Sequence, residues 1–273
     1  MIRSMSVADF KGVQHLESSA VIRNNPNGLV FSTDKPTVIV GPNGSGKSAL
    51  LCALALRFLA DVLGESAFDR DYVDSHKPYW TNRSRYGHDW EFLNGLECDT
   101  DNAPAVYYRP NHVPGNEPNT AHALVMGLHE QARAYESLVG RRSAGEGHRN
   151  RLERVCAVLR KDTPVQFRYA RWSFGEQPKD LTDYRQWHGA MDYKAEVLKK
   201  LFSSPGTEPL VLMDEPEQSL DALSTLKLWK ELSQPGLCQV IIATHSLYPI
   251  EHPEAFSFIE TTPGYIGNIR QLI

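Results

Sequence analysis

The stretch Thr37-Val38-Ile39-Val40-Gly41-Pro42-Asn43-Gly44-Ser45-Gly46-Lys47-Ser48 decides the fold. Its first four residues are apolar or β-branched and read as a buried strand. The next eight satisfy the pattern G-x-x-x-x-G-K-[ST] in full. Glycines in such a turn let the backbone curl until successive N–H groups point inward at an anion. From Lys47 to Leu63 apolar residues cover much of a helical surface, so the spacing predicts a helix whose positive end faces the same anion. The residues that would cradle it are Asn43, Gly44, Ser45, Gly46, Lys47, Ser48 and Ala49. Lys47 is placed to reach the β- and γ-phosphates of a bound nucleotide, and the Ser48 hydroxyl to ligate Mg²⁺. The rival reading is a chance glycine turn. Average residue usage produces the pattern in roughly one chain in a hundred of this length, and the flanking strand and helix lower that further.

Outward from this loop, the last hundred residues alternate helix and strand. Apolar runs at Leu210–Met213 and Gln239–Ala243 read as strands, with helices near Tyr193–Phe202 and Leu223–Leu232. Uninterrupted apolar strands between helices indicate a mostly parallel sheet covered on both faces. Short strands are expected at Phe256–Ile259 and Ile269–Ile273. Toward the N-terminus, short apolar stretches from Val7 to about Ser32 alternate with turns such as Asn24-Asn25-Pro26-Asn27-Gly28, predicting two or three antiparallel strands. Between the two regions, about 64–172, the chain is rich in aromatic, His, Asn, Pro and Arg residues. Helices are expected there at about 121–138 and 150–159, around the polar loop Gly140–Gly147.

Composition bounds the rest. The chain has 273 residues, 41% hydrophobic and 23% charged, with formal net charge −4, so no global basic field advertises nucleic acid. No run of about 18 apolar residues appears, and Met1–Ser6 lacks the apolar core of a signal peptide. Cys52, Cys98, Cys156 and Cys238 are scattered without a CxxC pair, which argues against a zinc site or disulfide framework. A cytoplasmic, membrane-free chain is the expectation.

Two further clusters carry chemistry. Asp214 and Glu215 follow the strand Leu210–Met213. At that strand's C-terminal edge Asp214 can hold the Mg²⁺ shell, and Glu215 can polarise the water attacking a γ-phosphate. Alone, an acidic pair after a strand commonly just opens a helix; the glycine loop upstream favours catalysis. Ala243-Thr244-His245-Ser246 ends the next strand, and His245 there can sense a γ-phosphate as donor or acceptor. In isolation such a His is structural.

The ordered series GPNGSGKS, LVLMDEPEQSLD and ATHS resembles the ABC ATPase superfamily, in its SMC/RecF/OLD-like branch. Phe10-Lys11-Gly12 before the early strands is similar to that branch too. The resemblance covers about 1–62 and 205–250 and hardly touches the middle. It implies a P-loop NTPase of α/β class, one domain over 1–273, with an N-terminal antiparallel β lobe and an inserted, partly helical lobe at about 64–172. It makes Gly41–Ser48 the Walker A loop, Asp214 the metal carboxylate, Glu215 the catalytic base, Ser219–Asp221 a loop facing an opposing subunit, and His245 the switch histidine. The family's signature loop, which caps ATP in a second subunit, finds a candidate in Ser173-Phe174-Gly175-Glu176-Gln177, with Ser143–Gly147 as rival. Phe174 departs from the small residue of that motif, and 39 positions separate Gly175 from Asp214 (214 − 175), longer than one intervening helix requires. A Q-loop glutamine is not placed.

These implications describe an ATPase with ATP and Mg²⁺ as cofactors, closing as an ATP-dependent homodimer. Only 28 residues follow His245 (273 − 245), leaving no room for a nuclease domain of the OLD type, so a separate effector such as a nuclease or toxin is expected, in DNA repair or anti-phage defence. Nucleic acid is a further candidate partner: Trp80, Arg83, Arg85, Tyr86 and Trp90 mix arginines with aromatics as base-stacking surfaces do, though folded packing is the commoner origin of such a mixture. Two alternatives stay open, a transporter nucleotide-binding subunit and a non-hydrolytic nucleotide-binding scaffold.

Overall fold

A computed structural model describes residues 1–10, 13, 16–58, 60–62, 65, 66, 95–101, 103, 105–110, 144–162, 208–218 and 220–273. Among them the strands are β1 (Ile2–Val7), β2 (Leu29–Val30), β3 (Thr37–Val40), β4 (Asp61–Val62), β5 (Glu65–Ser66), β6 (Leu96–Thr100), β7 (Ala105–Tyr108), β8 (Leu210–Asp214), β9 (Gln239–Ala243) and β10 (Ser257–Glu260). The helices are α1 (Ala20–Arg23), α2 (Lys47–Arg57), α3 (Ala144–Leu159), α4 (Ala222–Leu232), α5 (Tyr248–Glu251) and α6 (Tyr265–Arg270).

The central sheet runs β10-β3-β9-β8-β7-β4-β5. Its first five strands are all parallel; β4 joins β7 in parallel through Asp61 and Val106, and β5 closes the edge antiparallel. β3, β8 and β9 are buried along their whole length, the signature of strands covered on both faces. Alternate residues serve two cores. Ile39, Tyr107, Leu212 and Ile241 pack with α2 (Leu50, Leu51, Leu54) and the N-terminal lobe. Val38, Tyr108, Val211 and Ile242 pack with α3 and α4, where buried Trp229 stacks on Tyr248 and meets Phe256 edge-on. The expected helix face over the sheet and the mixed α/β class are therefore present.

A separate antiparallel sheet, β2-β1-β6, forms the N-terminal lobe. Its strands differ from the sequence expectation. Residues 7–32 supply only β2 and the short α1, β1 starts before that segment, and the third strand, β6, comes from the stretch read as an insertion. The turn at 25–28 holds Gly28 at φ +89°, where a Cβ would lie 2.5 Å from Met5 O; only glycine lets β2 return against β1. The buried Gln239 side chain latches the lobe to the central sheet. Its Oε1 accepts from Ile2 N (2.7 Å) and its Nε2 donates to Ile2 O (2.6 Å) and Ser32 O (2.9 Å).

Four further expectations are corrected. The stretch 64–172 is not wholly an inserted helical lobe, because β6 and β7 belong to the two sheets. Residues 269–273 form no strand; they carry the end of α6 and a turn, with Leu272 N bonded to Ile269 O. α2 ends at Arg57, since the apolar run beyond it enters the sheet as β4. The helix expected at about 150–159 starts at Ala144, so Ala144–Gly147 are helical rather than loop. Helices expected at 121–138 and 193–202 lie outside the described residues. No helix among the described residues is long and apolar enough to cross a membrane. Burial pushes the Cys52, Cys156 and Cys238 thiols up to about 12, as inert core sulfurs require.

Candidate functional site

The parallel strands β3, β8, β9 and β7 place four chain segments side by side at their C-terminal edges: the glycine loop, Asp214-Glu215, Thr244-His245 and Arg109. In open α/β sheets this edge is where ligands bind.

The loop is shaped by what lies beneath it. A Cβ on Gly41 would sit 1.7 Å from Thr261 Oγ1 and 2.9 Å from Thr261 Cβ, so the backbone there passes over Thr261 at a distance only glycine permits. Gly46 has φ +100°, and its Cβ would fall 2.6 Å from Ser19 Cβ. Val21 N also donates to Ser45 O (3.1 Å), so α1 and the residue before it buttress the loop from below. Gly44, at φ +74°, has open space around it and faces out with Pro42 and Asn43. α2 begins at Lys47, and the first N–H groups of a helix have no intrahelical partner. Ser45 Oγ and Thr261 Oγ1 are buried without a hydrogen-bond partner among the described residues.

Lys47 is only 5% exposed. Its ammonium folds back over the loop, donating to Gly41 O (3.0 Å) and Pro42 O (3.1 Å). Burial holds its pKa below the ordinary lysine value, with the Glu215 and Asp214 carboxylates opposing the shift. Ser48, one residue on, donates its hydroxyl to Asp214 Oδ1 at 2.8 Å across 166 residues of sequence.

Asp214 is fully buried. Besides Ser48 it receives the Tyr107 hydroxyl (3.3 Å, on Oδ2) and the Arg109 guanidinium (Nε to Oδ2, 3.4 Å). Burial nevertheless raises its pKa; Arg109, the Ser48 bond and the Tyr107 bond offset part of this, while Glu215 adds to it. Glu215 has φ +48°, a left-handed conformation that a residue with a Cβ adopts at a cost of order 1 kcal/mol or more. Its N–H is tied to Ala243 O (2.8 Å), which turns the chain sharply out of β8. Glu215 Oε1 lies 3.7 Å from His245 Nε2. Burial and the nearby Lys47 charge lower the His245 pKa against the pull of Glu215, which favours the neutral imidazole.

Of the residues singled out in the sequence, Lys47, Ser48, Asp214, Glu215 and His245 thus converge on one edge, with Asn43–Gly46 and Ala49 in the loop and helix start that carry them. Asp221 acts locally, as the N-cap of α4, accepting from Ser224 N (2.8 Å) and Ser224 Oγ (2.8 Å). Ser143, Ser173, Gly175 and Ser219 lie outside the described residues, as do Trp80, Arg83, Arg85, Tyr86 and Trp90. Three contributors were not legible as site residues beforehand. Tyr107 and Arg109 come from the middle of the chain, where the sequence reading places no strand at Ala105–Tyr108. Glu217 stood in view in Asp-Glu-Pro-Glu, but nothing in the spacing tells which way its side chain turns. It turns inward, accepting from Thr244 Oγ1.

Among the described residues no three His, Cys, Asp or Glu side chains cluster as an all-protein metal cage. A Ser hydroxyl beside one buried carboxylate is the kind of sparse oxygen donor set Mg²⁺ uses when phosphates complete its shell. Compared with known proteins, the chain finds no matching family model and no significantly matching curated protein.

Proposed function

We propose that the chain is an ATPase that binds ATP with Mg²⁺ on the 41–48 loop and hydrolyses it with Glu215 as base. The observation that carries this reading is the 2.8 Å contact between Ser48 Oγ and Asp214 Oδ1, with buried Lys47 on the same loop. A glycine turn arising by chance has no reason to meet a buried carboxylate from a strand 166 residues away.

In this reading the backbone amides of Asn43–Ser48 and the Lys47 ammonium hold the phosphates. The ammonium needs only to turn from two backbone carbonyls toward the loop's mouth. Ser48 and Asp214 are the residues to hold Mg²⁺, which when bound supplies charge neutralisation at the β- and γ-phosphates. Glu215, projected away from β8 by its left-handed backbone, takes a proton from the attacking water. His245, beside that carboxylate, has in its neutral form one N–H, which it donates toward the transferred phosphate oxygen.

The further parts of the reading rest on the sequence resemblance: an ATP-dependent homodimer, with Asp221 and a signature loop at Ser173 and Gly175 facing the second copy, that regulates a separate effector in DNA repair or anti-phage defence. The test compares the wild type with Glu215→Gln and Lys47→Ala by fluorescent-nucleotide binding, phosphate release and native mass spectrometry with and without ATP-Mg²⁺. Glu215→Gln is expected to keep ATP, hydrolyse it at least about tenfold more slowly and accumulate as a dimer, as loss of a general base predicts. Lys47→Ala is expected to lose binding. An unaltered rate in Glu215→Gln removes that carboxylate from the mechanism; a wild type that binds ATP but never turns it over favours the scaffold.

A further inference from the structure

We propose that Arg109 is a built-in placeholder for the metal: its guanidinium holds Asp214 before the metal binds and must leave when Mg²⁺ arrives, so that arginine and metal compete for one carboxylate. This rests on the reading of the site as an ATP-Mg²⁺ site.

The argument starts from topology. β7 is the parallel neighbour of β8, with Tyr108 opposite Met213, so Arg109 leaves β7 beside Asp214 at the same sheet edge. Asp214 is fully buried and has two classes of partner. Ser48 occupies Oδ1 at 2.8 Å, while Tyr107 and Arg109 share Oδ2 at 3.3 and 3.4 Å. Ser48 and Tyr107 are neutral donors. Arg109 brings a full positive charge directly onto the carboxylate that would hold the metal. A buried charge without a compensating cation is costly, which explains why the fold supplies one of its own.

Metal and guanidinium would compete for one carboxylate. Mg²⁺ binds carboxylate oxygens at about 2.1 Å and demands near-octahedral surroundings. A guanidinium nitrogen 3.4 Å from Asp214 Oδ2 would then stand close to a dication held on the same carboxylate, and like charges there repel. The Arg109 side chain is 33% exposed, so it has a path outward toward the mouth of the loop, where phosphate charge awaits it. The swap exchanges one cation for another on Asp214 and delivers the displaced arginine to the nucleotide.

Two measurements must then move in opposite directions. Arg109→Ala removes the competitor, so the Mg²⁺ concentration giving half-maximal tightening of fluorescent ATP binding falls, by roughly tenfold. The same variant loses a cation near the phosphates, so ATP binding in EDTA weakens by a similar factor. Arg109→Gln, which keeps a hydrogen-bond donor for Asp214 without charge, behaves like Arg109→Ala; Arg109→Lys keeps the wild-type Mg²⁺ midpoint. A merely structural Arg109 weakens both readings together, or neither, and either result overturns the inference while leaving the site intact. If Arg109→Ala does not fold, the Gln and Lys variants carry the comparison. A wild type that binds no nucleotide removes the reading of the site itself, and the inference with it.

Discussion

Glu217 makes the most discriminating test of how this sheet edge is held. Its side chain turns back under the loop after β9, Oε1 accepting from Thr244 Oγ1 while Oε2 is buried without a hydrogen-bond partner among the described residues. Thr244 Oγ1 in turn accepts from Ser246 N at 2.8 Å. The carboxylate thereby ties the Thr244 hydroxyl, and through it the Ser246 amide, to the turn that carries Glu215. Truncation in Glu217→Ala removes one hydrogen bond to a carboxylate, worth about 1.5–3 kcal/mol before the cost of burying the acceptor. That cost is real here, since burial raises the Glu217 pKa against the opposing bonds. The net loss is therefore expected at about 1–2 kcal/mol, or roughly 4 °C in Tm for a chain of this size. Glu217→Gln keeps an oxygen able to accept from the same hydroxyl, while shedding the charge that burial disfavours; its cost is expected below about 1 kcal/mol.

The kinetic consequence separates positioning from general weakening. Lys47 and Ser48 lie on another segment, so nucleotide affinity in Glu217→Ala stays within about twofold of wild type, while kcat falls roughly tenfold as His245 loses its orientation beside Glu215. Urea denaturation, nucleotide titration and phosphate release on the three proteins settle it. A Glu217→Ala protein with wild-type stability and turnover refutes the pinning argument. Equal destabilisation by Gln and Ala refutes its hydrogen-bond geometry, because only charge would then matter.

Three more outcomes are expected. Asp214→Asn should lose Mg²⁺-dependent tightening of ATP binding, and its stability relative to wild type in the absence of nucleotide should rise with pH. The sign comes from its raised pKa: as pH climbs from the ordinary carboxylate range through the native pKa, the unfolded chain ionises first and the native state loses stability. The gap between the two proteins should therefore open over that window and stay constant above it; a gap that closes as pH rises contradicts the assignment. Gly41→Ala forces a methyl to within 1.7 Å of Thr261 Oγ1 and is expected to cost about 3 kcal/mol, with Thr261→Gly rescuing part of it; additive losses in the double variant would exclude that clash. Asp221→Ala, which removes the cap of α4, is expected to lower stability by about 1 kcal/mol while leaving single-chain nucleotide affinity unchanged, as read by thermal melts and titration.

How much of this was legible in the residues depends on whether the signal was local. The glycine loop could be read because its function constrains consecutive residues: backbone curvature, helix start, lysine and serine all fall within eight positions. Strands β3, β8 and β9 could be read because burial on both faces demands unbroken apolar runs. β6 could not, since Leu-Glu-Cys-Asp-Thr alternates buried and exposed positions over five residues and takes its identity from pairing with β1, some 90 residues earlier in the chain (96 − 7 = 89 at the near end). Ile269–Ile273 misled for the opposite reason: its apolar residues suggest a strand, but the chain has already entered α6, and helical bonds such as Ile273 N to Ile269 O satisfy its backbone instead. Arg109 is the sharpest case. Nothing about an arginine before a proline marks it as a site residue. Its meaning exists only because β7 lies next to β8, and a carboxylate buried at the end of β8 must find positive charge within reach. The residues of this site are thus written in two registers, one contiguous in sequence and one created by strand order, and the second supplies the cation beside Asp214.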